Sequence, residues 1–266
     1  MESKIDLHVH TYMSDGDYSP AEVVRKAYEQ GVETLAITDH DTISGLEEAL
    51  QESEKLGITL VPGVEISARN GSSVHILGCF PVKSLEDIEG IEDDLKKTQE
   101  GRTERTYQQI EILNQKGYDV SIEESESFRR GVFTSKNHAI KVLMEKGYIT
   151  SHKEGVKLTE TKEYDIPYSD EWVMKPEEAV SLINSYGGVA VLAHPGKLMK
   201  KCDIDSFVGD LMKAGLKGIE VRSTKHTEEQ TKYFDDLADR YGLIKTCGTD
   251  YHREEEGKTM GYTHNI

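Results

Sequence analysis

The sequence predicts an α/β fold with a parallel sheet, open or closed into a barrel, and three observations predict it. A unit of helix, glycine and apolar strand recurs as "YEQGVETLAITDH", "SEKLGITLVPGVE", "NSYGGVAVLAHP", "MKAGLKGIEV" and "DRYGLIKTCGTDYH"; strands alternating with helices at this spacing pair in parallel. Gly31, Gly57, Gly187, Gly215 and Gly242 stand where each helix would end in a left-handed turn. Histidines and acids gather at the carboxyl ends of the apolar strands, the place where open and closed α/β sheets bind ligands. A length of 266 residues suits one large domain of this kind, or one domain carrying an insertion.

The stretch "KIDLHVHTYMSDGDYSP" opens on the first strand, in which Ile5, Leu7 and Val9 alternate with Asp6, His8 and His10, the last ending it. Period-2 alternation puts the apolar set on one face and the polar set on the other. Ser19, Pro20 and Glu22 then supply an N-cap, a first-turn proline and a capping-box acid for the first helix. Asp39 and His40 end the second strand, Glu65 follows "LVPGV", and His75 lies in "SSVHILGCF". From 98 to 174 the rhythm breaks. "KKTQEGRTERTYQQIEILNQKGYDV" reads as a polar helix ending at Gly117, and "SKNHAIKVLMEKGY" as an amphipathic one ending at Gly147. The rhythm then resumes: His194 ends "VAVLAHP", Glu220 closes "GIEV", and "TCGTDYH" carries Asp250 and His252.

Composition limits the partners. With 49 acidic against 32 basic side chains, a formal charge of −17 opposes general binding to long nucleic acid. It leaves room for a small anionic ligand held by metal ions, whose charge can dominate locally. Cys79, Cys202 and Cys247 are far apart and odd in number, so they form neither a disulfide framework nor a CxxC zinc site, which suits a reducing cytoplasm. No run of about 20 apolar residues and no charged, apolar, small-residue leader is present, so a membrane-bound or exported protein is not expected.

Singly, each polar motif has an ordinary reading. A histidine in a strand can be a hydrogen-bonded core residue, "TDHD" can be a helix-capping turn, and "AHPG" an ordinary turn. Together they require more. So many imidazoles and carboxylates buried in one place would leave charge uncompensated, and hard or borderline divalent metals resolve that.

The ordered set "DLHVHTYMSDG", "ITDHDTISG", "GVEIS", "VHILG", "AHPG" and "GTDYH" resembles the polymerase and histidinol phosphatase (PHP) superfamily of metal-dependent phosphoesterases. The resemblance spans residues 4 to 80 and about 174 to 252, and is nearest to stand-alone nucleotide-acting members: 3′,5′-nucleoside bisphosphate phosphatases and 5′-to-3′ exonucleases on short RNA. It implies a distorted (β/α)7 barrel with a metal cluster at the carboxyl ends of its strands. His8, His10, Glu65 and Asp250 would hold a first ion, and Glu65 would bridge to a second completed by His75 and His194. Asp15, His40 and His252 would hold a third, with Asp17 competing for the role of Asp15. The donor mix suits Mn, Fe or Zn without choosing among them. Asp39 would orient a ligand histidine.

The expected chemistry is attack on phosphorus by a hydroxide shared between two ions about 3.5 to 4 Å apart. His226 resembles a family histidine near the substrate phosphate and could protonate the leaving oxygen or bind phosphate. The family pattern has an arginine two residues before His138, where this chain has Lys136, a point charge in place of a fork. Lys136, His138 and Arg222 are the phosphate-binding candidates. Arg102, Arg105, Arg129 and Arg130 read as solvated charges, although one could reach a second phosphate. His152 reads as surface, and His264 as a weaker candidate. The expected domains are a barrel of 1–97 and 175–266 and a helical insertion of 98–174 over the active-site mouth. The expected activity is hydrolysis of nucleotide phosphate esters or short oligonucleotide ends. The alternatives are a histidinol-phosphate phosphatase and a noncatalytic, metal-stabilised module.

Overall fold

The computed structural model describes residues 3–82, 84–167, 169, 171–254 and 259–263. In chain order the main elements are β1 (Lys4–Val9), α1 (Pro20–Glu29), β2 (Val32–Ile37), α2 (Leu46–Leu56), β3 (Thr59–Asn70) and β4 (Ser72–Cys79). Four helices follow: α3 (Ile91–Gln115), α4 (Ile122–Ser127), α5 (Lys136–Glu145) and α6 (His152–Thr159). The chain then continues through α7 (Pro176–Ser185), β5 (Val189–Leu192), α8 (Ile204–Lys213), β6 (Gly218–Ser223), α9 (Glu228–Tyr241), β7 (Ile244–Gly248) and β8 (Tyr262–Thr263).

Local signals explain the repeating units. Ser19 Oγ accepts from Glu22 N while the Glu22 carboxylate accepts from Ser19 N, with Pro20 opening α1. A cap of this kind is worth about 1 kcal/mol. The five glycines that end helices take φ between 66° and 102°, the left-handed turn that a side chain would strain.

The strands form one sheet in the order β7-β6-β5-β4-β3-β2-β1-β8. β1, β2 and β3 are parallel, as are β5, β6 and β7. The two-residue β8 is antiparallel to β1, and β4 is antiparallel to both of its neighbours. Its reversal follows from Asn70 and Gly71: β3 runs on past the site, Gly71 turns with φ 66°, and Ser72 pairs directly back with Asn70. A turn this tight leaves no room for the crossover helix that a parallel neighbour needs, so β4 departs from the all-parallel expectation. The sheet nearly closes where β1 meets the segment after β7. Val9 bridges to Tyr251, Asp250 N donates to His8 O at 2.9 Å, and His10 N donates to Tyr251 O at 2.8 Å.

Asp6 clasps this seam. Its buried carboxylate accepts from Thr249 N, Thr249 Oγ1 and Gly261 N at 2.9, 2.6 and 2.9 Å, and burial lifts its pKa to about 6 against those bonds. In β1 the alternation is therefore turned inside out. Asp6 and His8 are fully buried inside the barrel, while Ile5 and Leu7 on the other face are only partly covered.

One apolar core joins the strands to the inner faces of the surrounding helices, with Leu35, Ile37, Ile66, Ile76 and Phe234 among its wholly buried members. A second, separate cluster lies in the α3–α6 region, built on Leu113, Ala139, Ile140 and Leu143. α3 starts in the first core with Ile91 and Leu95 and ends in the second with Ile110 and Leu113, so the expected boundary at 97/98 falls inside a continuous helix.

Candidate metal centre

The carboxyl ends of the barrel strands deliver the polar residues to one point. Glu65 on β3 is its middle. Its Oε1 lies 3.2 Å from His8 Nε2, 2.9 Å from His75 Nδ1 and 3.0 Å from His194 Nε2. Its Oε2 lies 3.2 Å from His10 Nε2 and 3.1 Å from His40 Nδ1. Asp250 Oδ1 stands 3.5 Å from His8 Nε2, 3.3 Å from His10 Nε2 and 3.6 Å from His252 Nδ1. Asp15 Oδ1 lies 3.1 Å from His252 Nε2. All nine residues predicted as ligands are therefore brought together.

The backbone is bent to achieve this. Among the described residues, the non-glycines with positive φ are Asp41, His194 and Asp250, at 52°, 29° and 54°. Two of them belong to the cluster and Asp41 follows His40. Such conformations cost on the order of 1–3 kcal/mol each and concentrate at functional sites. Gly248 leaves room for the cluster, because a side-chain carbon there would fall 2.2 Å from His8 Cβ.

The donor atoms fit divalent cations. Three groups have ligand atoms within 4.8 Å of one another: His8, His10, Glu65 and Asp250; His10, Asp15, His40 and His252; and His40, Glu65 and His75. His8 Nε2, both nitrogens of His10, His40 Nδ1 and Glu65 Oε2 are buried without a hydrogen-bond partner. They approach one another closely yet are misaligned for hydrogen bonding, an arrangement that costs about 1–3 kcal/mol per group unless something between them satisfies it. Imidazole with carboxylate is a donor set for borderline divalent metals.

Electrostatics without cations is correspondingly divided. Burial opposes ionisation of Glu65, but His8, His75 and His40 hold its carboxyl well below the usual range. Burial opposes charging of His8, and Glu65, Glu220 and Asp250 overcome it and raise its pKa. Burial, helped by Lys197, instead pushes His194 down to about 4.

Other residues missed or misassigned in the sequence take defined places. Glu220 Oε1 lies 3.1 Å from His8 Nδ1, and its Oε2 accepts from His194 N at 2.6 Å. A carboxylate there fixes the His8 proton on Nδ1 and aims the Nε2 lone pair at the cluster. Glu220 was legible only as a strand-end acid, because its partners are remote in sequence. The Asp39 oxygens accept from Thr11 N, Thr11 Oγ1 and Ser14 Oγ, so its hydrogen bonds shape the loop after β1 that carries Asp15 and do not go to a histidine ring.

His226 does not face the cluster as a proton donor. Its Nδ1 bonds Val221 O at 3.0 Å, its Nε2 accepts from Gly196 N at 3.1 Å, and its ring packs on Phe234. Both nitrogens serve the backbone. Arg222 lines a cavity with Glu228, Lys232, Lys245 and Tyr262, none of which belongs to the cluster. Lys136 pairs with Glu160 on the surface of α5. His138 is buried and its Nδ1 accepts from Ser135 N.

The neighbouring Asn137 is the residue that reaches the site, its Nδ2 donating to Asp15 O at 2.9 Å while its Oδ1 meets His152 Nε2 at 3.0 Å. His152 is thus part of this link and not a free surface residue. Arg102 is buried on Asp41 and Ser67, and Arg105 binds Ile166 O and Asp165, so neither is a solvated charge. His264 lies outside the described residues. Lys197 and Lys225, singled out by no motif, reach Asp250 Oδ2 at 3.6 and 3.4 Å.

A nearly closed α/β barrel with this cluster at its strand ends defines a metal-dependent hydrolase of phosphoester bonds. The chain belongs to the PHP domain family, which it matches over residues 6–166. A phosphoribosyl 1,2-cyclic phosphate 1,2-diphosphodiesterase from Eggerthella lenta is 35% identical, over 93% of this chain and 93% of the relative. A 3′,5′-nucleoside bisphosphate phosphatase from Chromobacterium violaceum is 32% identical over 99% and 93%. A 5′-3′ exoribonuclease from Haemophilus influenzae is 30% identical over 95% and 91%. The solved structure of a predicted metal-dependent phosphoesterase from Bifidobacterium adolescentis superposes with a TM-score of 0.85 at 28% identity, covering 98% of this chain and 91% of that one. Among the described residues no helix is long and apolar enough to cross a membrane.

Proposed function

We propose that this chain removes phosphate from small nucleotides, such as nucleoside 3′,5′-bisphosphates, or from the ends of short oligonucleotides. The observation that carries the reading is the Glu65 carboxylate, met by nitrogens of five imidazoles at 2.9 to 3.2 Å, three of which have no hydrogen-bond partner. The nucleotide class rests on two of the relatives, the 3′,5′-nucleoside bisphosphate phosphatase and the 5′-3′ exoribonuclease, while the third is named for a phosphoribosyl 1,2-cyclic phosphate. A net charge of −17 favours small substrates over long polyanions.

His8, His10, Glu65 and Asp250 would hold one divalent cation, Glu65 with His75 and His194 a second, and Asp15, His40 and His252 a third. Mn, Fe and Zn all suit the donors. When bound, the cations supply Lewis acidity to phosphoryl oxygens and make water easier to deprotonate. The protein keeps His8 in one tautomer through Glu220 and fixes Asp15 through Asn137. The α3–α6 segment acts as the inserted subdomain at the mouth, where Gly131 packs directly on the Met13 backbone. Three unpaired cysteines agree with a cytoplasmic location.

The test is phosphate release from adenosine 3′,5′-bisphosphate, a 5′-phosphorylated short RNA and histidinol phosphate, by Mn-loaded protein and by a chelated control. The expected outcome is release from the nucleotide substrates that chelation abolishes. Preference for histidinol phosphate overturns the nucleotide reading, and full activity after chelation overturns the role of the cluster.

A further inference from the structure

Lys197 ends a short 3-10 turn, Pro195–Lys197, that begins one residue after His194. Lys225 lies in the loop between β6 and α9. These are two different barrel loops, yet both ammonium groups converge on Asp250 Oδ2, at 3.6 and 3.4 Å. Asp250 uses its other oxygen, Oδ1, toward His8 and His10. The carboxylate thus divides a buried side, where the two histidines are wholly covered, from an open side, where the lysine side chains stay 43% and 35% exposed. Two ammonium groups meet one carboxylate oxygen at the rim, in a molecule whose net charge is −17. The residues expected from the sequence to bind phosphate are engaged elsewhere: Lys136 with Glu160, and Arg222 on the separate cavity.

We propose that Lys197 and Lys225 form the phosphate-recognition site of this enzyme, gripping non-bridging oxygens of a phosphate placed over the cluster. The proposal rests on the phosphoesterase reading above and names the residues that receive its substrate. Each ammonium is a compact charge with three donors on a flexible stem, so the pair can follow a phosphate group through a range of orientations and accept ester groups of different shape. The bound anion takes the place that Asp250 Oδ2 holds when no phosphate is present.

The experiment uses Mn-loaded full-length protein with Lys197→Gln, Lys225→Gln and the double change. Manganese per chain, the Kd for inorganic phosphate by calorimetry at fixed ionic strength, and KM and kcat on the best nucleotide substrate are measured for each. Manganese content is expected to stay at the wild-type level. Phosphate Kd and KM are expected to rise about tenfold in each single variant and about a hundredfold in the double, with Lys→Arg changes restoring much of the binding. Unchanged phosphate Kd and KM in the double variant overturn the proposal. So does a loss of manganese with phosphate affinity intact, which would make the lysines orienters of Asp250. Wild-type protein that binds inorganic phosphate through these lysines but hydrolyses no nucleotide leaves this site standing and removes the nucleotide reading alone.

Discussion

Glu65 and Glu220 are two buried glutamates with different work. Glu65 faces five imidazoles at the centre of the cluster, whereas Glu220 sits behind it, on the far nitrogen of His8 and on the backbone of His194. Glu220→Gln keeps the size but loses the charge that fixes the His8 tautomer. The expected outcome is metal binding weakened about 10- to 100-fold, read by competition with a chelating dye, with a matching fall in activity that excess metal partly restores. At this scale the sequence was informative about ligands and poor about their supports. A histidine or acid at a strand end announces itself by its type and place. The hydrogen bonds of His226, whose two nitrogens end on Val221 and Gly196, depend on how two loops meet and leave no local mark.

Between the single strand and the whole barrel, the informative failure is β4. The helix-to-strand rhythm on either side implied parallel strands, but Asn70 pairs with Ser72 across Gly71 alone; a turn that short admits no crossover helix, so β4 must run backwards. His75 therefore enters the site from the middle of a strand that runs opposite to its neighbours. The α3–α6 segment was legible as a break in rhythm, and Gly117 and Gly147 do end its helices in left-handed turns. What could not be read was its docking. A side-chain carbon at Gly131 would lie 1.8 Å from Met13 O, so the segment is keyed against the loop that carries Asp15. Gly131→Ala must push that contact apart. It is expected to cost about 1–3 kcal/mol by urea unfolding and to reduce activity by disturbing Asp15, with the barrel's helical content retained by circular dichroism.

For the molecule as a whole, acid stability has a clear sign. Burial pushes His138 down to about 4, from an ordinary value near 6.5. A histidine with a depressed folded-state pKa stabilises nothing extra above the unfolded value; as pH falls below about 6.5 the unfolded chain takes up a proton that the folded one refuses, and stability is lost until about pH 4. The loss is on the order of 3 kcal/mol. His138→Gln keeps an acceptor for Ser135 N, and its urea midpoint is expected to depend less steeply on pH in that window than the wild type does. An equal slope in both proteins would locate the acid sensitivity elsewhere.

The seam of the barrel carries a last consequence, for the order of assembly. Asp6 and Thr249 clasp it although they are 243 residues apart in sequence, and the cluster joins His8 and His10 to Asp250 and His252 across the same gap. Chains emerge from the ribosome amino end first, at about 5–20 residues per second. Glu65 and His75 are therefore in place long before Asp250 exists, and contacts so distant along the chain form slowly. A growing chain holds most of its imidazoles beside an unclosed edge strand, and only the last barrel strand turns that edge into an enzyme.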